Sequence, residues 1–225
     1  MKHIENLLHP SQLFTTIYSQ EGYQVVGRNM NYKFHIDTGA QIIYVCFQHS
    51  QGVSDWLYNI LALPSRMEPY EGCGWWVHKG FATVWRSGNY IIMNQLLRLV
   101  GMPQMANFDI VFCGFSHGGP LAMLAAENWY RIMGQRCQCI TFGSPKLAWG
   151  DAARSVLNRA MILTNWINRA DAITALPFEW WGFLHVLIHL VNVRRIPILS
   201  LFNVWRHHQI YNRPEIYPEK WRRAA

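Results

Sequence analysis

Continuous apolar runs of five to seven residues alternate along this chain with longer segments whose apolar positions recur at helical spacing. Tyr23–Gly27 and Asn31–Ile36 read as short strands around an Arg28-Asn29-Met30 turn. Gln41–Phe47, Asp109–Cys113, Gln138–Phe142 and Met161–Ile167 read as buried strands, rich in β-branched and aromatic residues. Residues 1–20 read as a short helical lead-in, and 81–100, 118–133 and 150–159 as helices. Strand alternating with helix predicts an α/β fold with a mostly parallel central sheet flanked by helices on both faces. The most apolar stretch, 176–192, is interrupted by Glu179, His185 and His189 and falls short of a membrane span. It reads as a core helix or an interfacial segment. Without repeats or a low-complexity linker, residues 1–225 are expected to form a single domain.

One junction between run and helix carries chemistry. The run 109–113 leads into Gly114-x-Ser116-x-Gly118, and a helix-forming segment follows at once. Strand, sharp turn and helix in that order make a nucleophile elbow, in which the turn exposes the serine Oγ above the sheet. The flanking glycines let strand and helix approach without an intervening Cβ. The triplet alone arises by chance in roughly one chain of this length in ten, so the strand before it and the helix after it supply the discrimination. Ser116 is therefore a candidate nucleophile, and the backbone N–H of His117 is placed to stabilise an oxyanion.

A serine hydroxyl needs a base, and the base needs an orienting group. Asp171 follows the run Met161–Ile167 on a loop, where such a carboxylate belongs. Asp151 precedes a helix and reads as an N-cap, and Glu179 lies among tryptophans. Downstream histidines are His185, His189, His207 and His208. The first two stand one helical turn apart in an apolar segment, which favours a structural role. Spacing alone does not separate His207 from His208.

Composition bounds these readings. Hydrophobic residues make up 51% and charged residues 15%, which excludes disorder and points to a large core. Five cysteines form no C-x-x-C pattern and suggest no disulfide framework. The N-terminus lacks a continuous apolar core of the kind a cleaved signal peptide carries, so a cytoplasmic location is expected. The net charge of +7 is concentrated late, at Arg194, Arg195, Arg206, Lys220, Arg222 and Arg223. A solvated face, a peripheral contact with an anionic membrane and nucleic-acid binding compete as explanations, and no nucleic-acid-binding motif supports the last.

Five blocks then occur in a recognisable order: Phe47-Gln-His-Ser50 with Asp55-Trp56-Leu57, Val77-His-Lys-Gly-Phe81, the elbow, Thr141-Phe-Gly-Ser-Pro145, and Asn168-Arg-Ala-Asp171 running to Leu176-Pro177. Together they resemble the class 3 lipases, the family of fungal triacylglycerol lipases and their bacterial, plant and viral relatives. The resemblance implies an α/β-hydrolase fold with Ser116 as nucleophile and Asp171 as acid. It implies His208 as base, through the family's H-x-x-Y in His208-Gln-Ile-Tyr211. Ser50 corresponds to the family's second oxyanion-hole donor beside His117. Gln48-His49 replaces the usual Arg-Gly in the first block, while Phe115 and His117 replace His and Leu in the elbow. Residues 51–61 occupy the place where the family often carries a mobile lid. Trp56, Leu57, Ile60 and Leu61 there have helical spacing that equally suits an amphipathic helix packed on the core. The implied activity is cofactor-free and metal-free hydrolysis of acylglycerols or other lipid esters through an acyl-enzyme. Phospholipase or acyltransferase chemistry on the same residues, or a silent membrane-surface binding protein, are the alternatives.

Overall fold

The computed structural model of the chain describes residues 6–48, 67–69, 74–191 and 207–218. Among these, the main sheet contains seven strands: β1 (Gln24–Val26), β2 (Met30–Asp37), β3 (Ile42–Gln48), then β6 (Asp109–Phe115), β7 (Cys137–Phe142), β9 (Met161–Ile167) and β11 (His189–Leu190), hydrogen-bonded in that order. β1, β2 and β3 pair antiparallel, and every pairing from β3 through β11 is parallel. A smaller antiparallel sheet orders β10 (Phe183–Leu184), β8 (Ala148–Trp149), β5 (Trp76–His78) and β4 (Met67–Pro69). The mostly parallel sheet expected from the alternating pattern is present.

Two hydrophobic layers follow from the two-residue period of the strands. Ile43, Val45 and Phe47 of β3 and Ile110 and Phe112 of β6 face the larger core. That layer is covered by helices α2 (Lys79–Arg86), α3 (Asn89–Val100), α4 (Gly118–Met133) and α5 (Gly150–Ala160). Ile42, Tyr44 and Cys46, with Val111, Cys113 and Phe115, face the opposite layer. Helix α1 (Pro10–Tyr18) covers it together with Tyr211, Ile216 and Tyr217. A strand sealed on both faces has no polar side to show, which is why these runs read as continuously apolar. Cys46 and Cys113 are matched across β3 and β6 and lie as free thiols with Sγ atoms 3.4 Å apart. Burial pushes the Cys113 thiol well above its usual range.

Three elements depart from the sequence reading. The helix expected over 81–100 is two helices, α2 and α3, broken at Ser87-Gly88. A Cβ at Gly88 would lie 2.7 Å from Val26 and 2.9 Å from Met30, and Ser87 Oγ accepts the Arg28 N–H at 2.8 Å. The break thus seats the β1–β2 hairpin. Asp151 is not an N-cap: Trp149 caps α5, and Asp151 stands in the first turn, 3.6 Å from Arg154. The described part of the segment 176–192, through Val191, forms no α-helix. It runs through a 3-10 turn (Glu179–Trp181), reverses at Gly182 with φ 88°, and supplies β10 and β11. Its apolar residues serve two sheet edges, a demand that periodicity over so short a run does not reveal.

Phe112 is fully buried between the partners Val45 and Cys139. Phe112→Ala is expected to cost about 3–5 kcal/mol in urea unfolding through lost burial and an unfilled cavity.

Candidate active site

Ser116 stands at the first position beyond β6 with φ 56°, a left-handed conformation that a non-glycine residue adopts only when its surroundings impose it. The surroundings do so from both sides. Ser116 N–H donates to Phe142 O at 2.9 Å, and Gly119 N–H donates to Ser116 O at 2.9 Å. α4 then starts so close to the sheet that a Cβ on Gly118 would lie 2.2 Å from Phe47 O, and one on Gly114 would lie 2.1 Å from Gly118 O. Each glycine of the triplet is therefore a contact requirement. The serine sits where β3, β6 and β7 end together, with only 3% of its surface exposed.

β9, two strands from β6, ends at Ile167, and the loop beyond it carries Asp171. Asp171 caps the short 3-10 turn Ala172–Ala175, its Oδ1 accepting Ile173 N–H at 3.0 Å. Its Oδ2 accepts His208 Nδ1–H at 2.6 Å, with both side chains shut away from water. Holding the proton on Nδ1 leaves Nε2 as an acceptor, the state a general base requires. The His208 ring lies 4.6 Å from that of Phe115, the residue before the serine. The structure thus brings Asp171 and His208 together beside the elbow that carries Ser116.

Two further side chains lock this pair. Tyr211 OH donates to Asp171 Oδ2 at 3.4 Å and accepts Asn168 N–H at 3.0 Å. Asn168 Nδ2 donates to His207 O at 2.9 Å, fixing the backbone immediately before His208. Burial, and next the Asp171 carboxylate, hold the Tyr211 hydroxyl well above its usual range, so it remains a donor. Gly143, between β7 and Ser144, has φ 55°. A Cβ there would lie 2.9 Å from His208 Cε1 and 3.0 Å from Asp171 Oδ2. The positions around Asp171 and His208 in N-x-x-D, T-F-G-x-P and H-x-x-Y therefore have physical jobs. Reading the motifs only for acid and base overlooked Asn168, Tyr211 and Gly143, although their recurrence at fixed offsets was a usable signal.

The remaining candidates are placed as follows. His207 is buried and offers its carbonyl to Asn168, while His208 is the neighbour that reaches Asp171. His185 donates from Nε2 to Thr174 O at 2.8 Å and lies 3.4 Å from Asn165 Nδ2 through Nδ1. Burial, then the nearby Lys146 charge, push its pKa down to about 4. It is a neutral structural residue, although it and His189 share no helix. His117 is buried with its ring 5.3 Å from Phe81. Glu179 is largely exposed and lies 3.8 Å from Lys146 Nζ. Gln48, where the first block departs from the usual arginine, turns its side chain toward α1 and donates to Tyr18 O at 3.2 Å. Ser50 and the proposed lid residues Trp56, Leu57, Ile60 and Leu61 lie outside the described residues. No cluster of three or more metal-ligating side chains occurs among the described residues.

The class 3 lipase family model matches residues 44–180. A lipase from Rhizomucor miehei is 26% identical over 149 residues, covering 64% of this chain and 39% of its own. The chain therefore spans less than half the length of that relative. Among solved structures, the Rhizomucor miehei triacylglyceride lipase superposes with a TM-score of 0.68 at 20% identity, covering 77% of this chain and 66% of that one. Lipase II from Rhizopus niveus gives 0.63 at 18% identity, with coverage of 70% and 59%. These superpositions show a shared α/β-hydrolase fold.

Tyr211→Phe removes the acceptor of a buried N–H and a donor to Asp171. It is expected to lower unfolding free energy by about 1–3 kcal/mol, read from urea denaturation. His185 makes a separate pH signature. Its folded pKa of about 4 lies below the unfolded value of about 6.5, so the unfolded chain takes up the proton first. This contribution to stability is complete above the unfolded pKa and is lost as pH falls toward about 4, by on the order of 3 kcal/mol. Urea midpoints for His185→Gln should show a shallower decline over that window than the parent chain.

Proposed function

Because the chain belongs to the class 3 lipase family, we propose that it is a serine hydrolase that cleaves carboxylic esters of lipids through an acyl-enzyme. The observation that carries this reading is the buried 2.6 Å contact between Asp171 and His208 beside the strained Ser116 turn. An imidazole whose Nδ1–H is held by a carboxylate is oriented to act as a general base through Nε2 on a serine hydroxyl.

The steps follow from these positions. Ser116 Oγ attacks the ester carbonyl carbon as its proton passes to His208 Nε2. The new imidazolium is stabilised by the Asp171 carboxylate, which stays ionised. The carbonyl oxygen, now an oxyanion, is held by the backbone N–H of His117 and by Ser50, the family's second donor position. Each such donor typically contributes about 3–4 kcal/mol to the transition state. Collapse expels the alcohol, which leaves with the proton from His208. Water then gives a proton to His208 Nε2 as it attacks the acyl carbon, and His208 returns that proton to Ser116 Oγ as the acyl–oxygen bond breaks, releasing the carboxylic acid and free Ser116.

Two features support an apolar acyl substrate. Phe81 and Phe115 lie against His117 and His208, so the described neighbourhood of the buried serine is aromatic. The family's fungal members include enzymes named for triacylglyceride, and acylglycerols are the substrate class we assign.

Hydrolysis of a series of p-nitrophenyl esters tests the reading. The parent chain should turn over these esters, with a preference for longer acyl chains. Ser116→Ala should lose at least about a thousandfold in kcat while keeping its far-UV spectrum and unfolding midpoint. Undiminished hydrolysis by Ser116→Ala would overturn the assignment.

A further inference from the structure

The tryptophans of the described chain range from fully buried to largely exposed, with Trp149 and Trp181 half-buried and Trp76 exposed by about a third. Trp75, Trp85, Trp129 and Trp166 are almost wholly buried, whereas Trp180 is 76% exposed. It is held in place despite that exposure. Its ring stacks on Phe178 with centroids 4.2 Å apart and planes within 10°. Leu187 and Ile188 nearby in sequence are about half-exposed, and Leu190 is exposed by about a third. Leu190 belongs to edge strand β11 and pairs with Ile167, the last residue of β9. The patch therefore sits at the end of the sheet where β9 leads to Asp171 and β6 leads to Ser116. Phe178, Trp180, Ile188 and Leu190 line a cavity of about 630 Å³ together with Lys146 and Arg169.

The base of this platform is rigid. Four consecutive carbonyls, from Thr174 to Pro177, are each claimed by His185 or Lys146. His185 Nε2 donates to Thr174 O at 2.8 Å, and Lys146 Nζ donates to Ala175 O at 2.6 Å and Pro177 O at 3.3 Å. Lys146 N–H donates to Leu176 O at 2.7 Å. The Glu179 carboxylate, 3.8 Å from Lys146 Nζ, offsets that lysine's charge. Arg169, two residues before Asp171, is exposed and forms no ion pair among the described residues. The rim of the cavity thus combines an exposed indole, exposed aliphatic side chains and a cation without a counter-charge in the described structure.

We propose that this Trp180 face is a docking surface for an anionic lipid interface. The inference rests on the lipid-ester reading of Ser116 and adds where the protein meets its substrate phase. An indole at an interface buries its apolar body among acyl chains and keeps its N–H at the headgroups. Arg169 attracts anionic headgroups, reinforced at longer range by the net charge of +7. Charge selects this occupant over a second copy of the chain, which would bring Arg169 against another cationic protein. Docking through this face turns the strand ends that carry Ser116 and Asp171 toward the lipid.

Sedimentation of the full chain with vesicles tests this, alongside hydrolysis of a monomeric short-chain p-nitrophenyl ester. The chain should sediment with vesicles of equimolar phosphatidylcholine and phosphatidylglycerol, and much less with phosphatidylcholine alone. Arg169→Gln should weaken binding to the anionic vesicles about fivefold. Trp180→Ala with Ile188→Ser should weaken it on the order of tenfold or more. All three substitutions lie at exposed positions, so hydrolysis of the monomeric ester should be unchanged. Equal sedimentation of parent and variants, equal affinity for neutral and anionic vesicles, or concentration-dependent dimerisation that the same substitutions abolish would overturn the docking surface. Anionic-selective binding that these substitutions weaken, in a chain inactive on every ester, would instead overturn the hydrolase reading and leave the surface standing.

Discussion

A carboxylate and an imidazole from positions 37 residues apart meet at 2.6 Å with no side-chain exposure, and much of the fold is arranged so that this contact holds. Burying such a pair is unfavourable unless its remaining hydrogen-bonding groups are satisfied. Here Ile173 N–H and Tyr211 OH complete the Asp171 carboxylate, and Asn168 anchors both Tyr211 and the backbone before His208. Gly143 leaves room for the pair where any Cβ would collide. The order of the parallel strands decides which loops can take part. β6, β7 and β9 are successive neighbours, so the loops after them converge on one end of the sheet.

The same convergence explains the strain at Ser116. Helix α4 has to begin against the end of β3, with the Gly118 Cα pressed toward Phe47 O, and the chain can turn that sharply only through a left-handed residue. The backbone cost of about 1–3 kcal/mol is sustained by a sheet sealed on both faces and by the two backbone bonds around the serine. Local distortion and global packing are therefore one design: the sheet supplies rigidity, and the turn uses it to aim a hydroxyl.

Much of this was legible in the residues. The sheet strands could be located because burial on both faces makes them apolar without alternation, and Met161–Ile167 appears with the bounds the sequence suggested. The elbow was legible because its glycines answer to backbone contacts, which leave a fixed spacing. What stayed hidden depended on distant packing. The break between α2 and α3 is imposed by a hairpin some sixty residues earlier, and nothing local to Ser87-Gly88 announces it. The apolar stretch 176–192 looked helical because most of its residues are large and apolar, with His185 and His189 four positions apart. Its hydrogen-bonding partners are strands far away in sequence, β8 and β9. The choice between His207 and His208 came only from the resemblance of His208-Gln-Ile-Tyr211 to H-x-x-Y, since a single residue's rotation decides which ring faces Asp171.

Active-site labelling tests the central claim most directly, because it reads the proposed nucleophile, Ser116, and the proposed base, His208, together. A fluorophosphonate probe, followed by peptide mapping, should modify Ser116 in the native chain and no serine in the unfolded chain. His208→Ala should slow that labelling by at least about a hundredfold, while His207→Ala should leave its rate within a few-fold of the parent. Modification at another serine, or rapid labelling of Ser116 in His208→Ala alongside its loss in His207→Ala, would contradict the account.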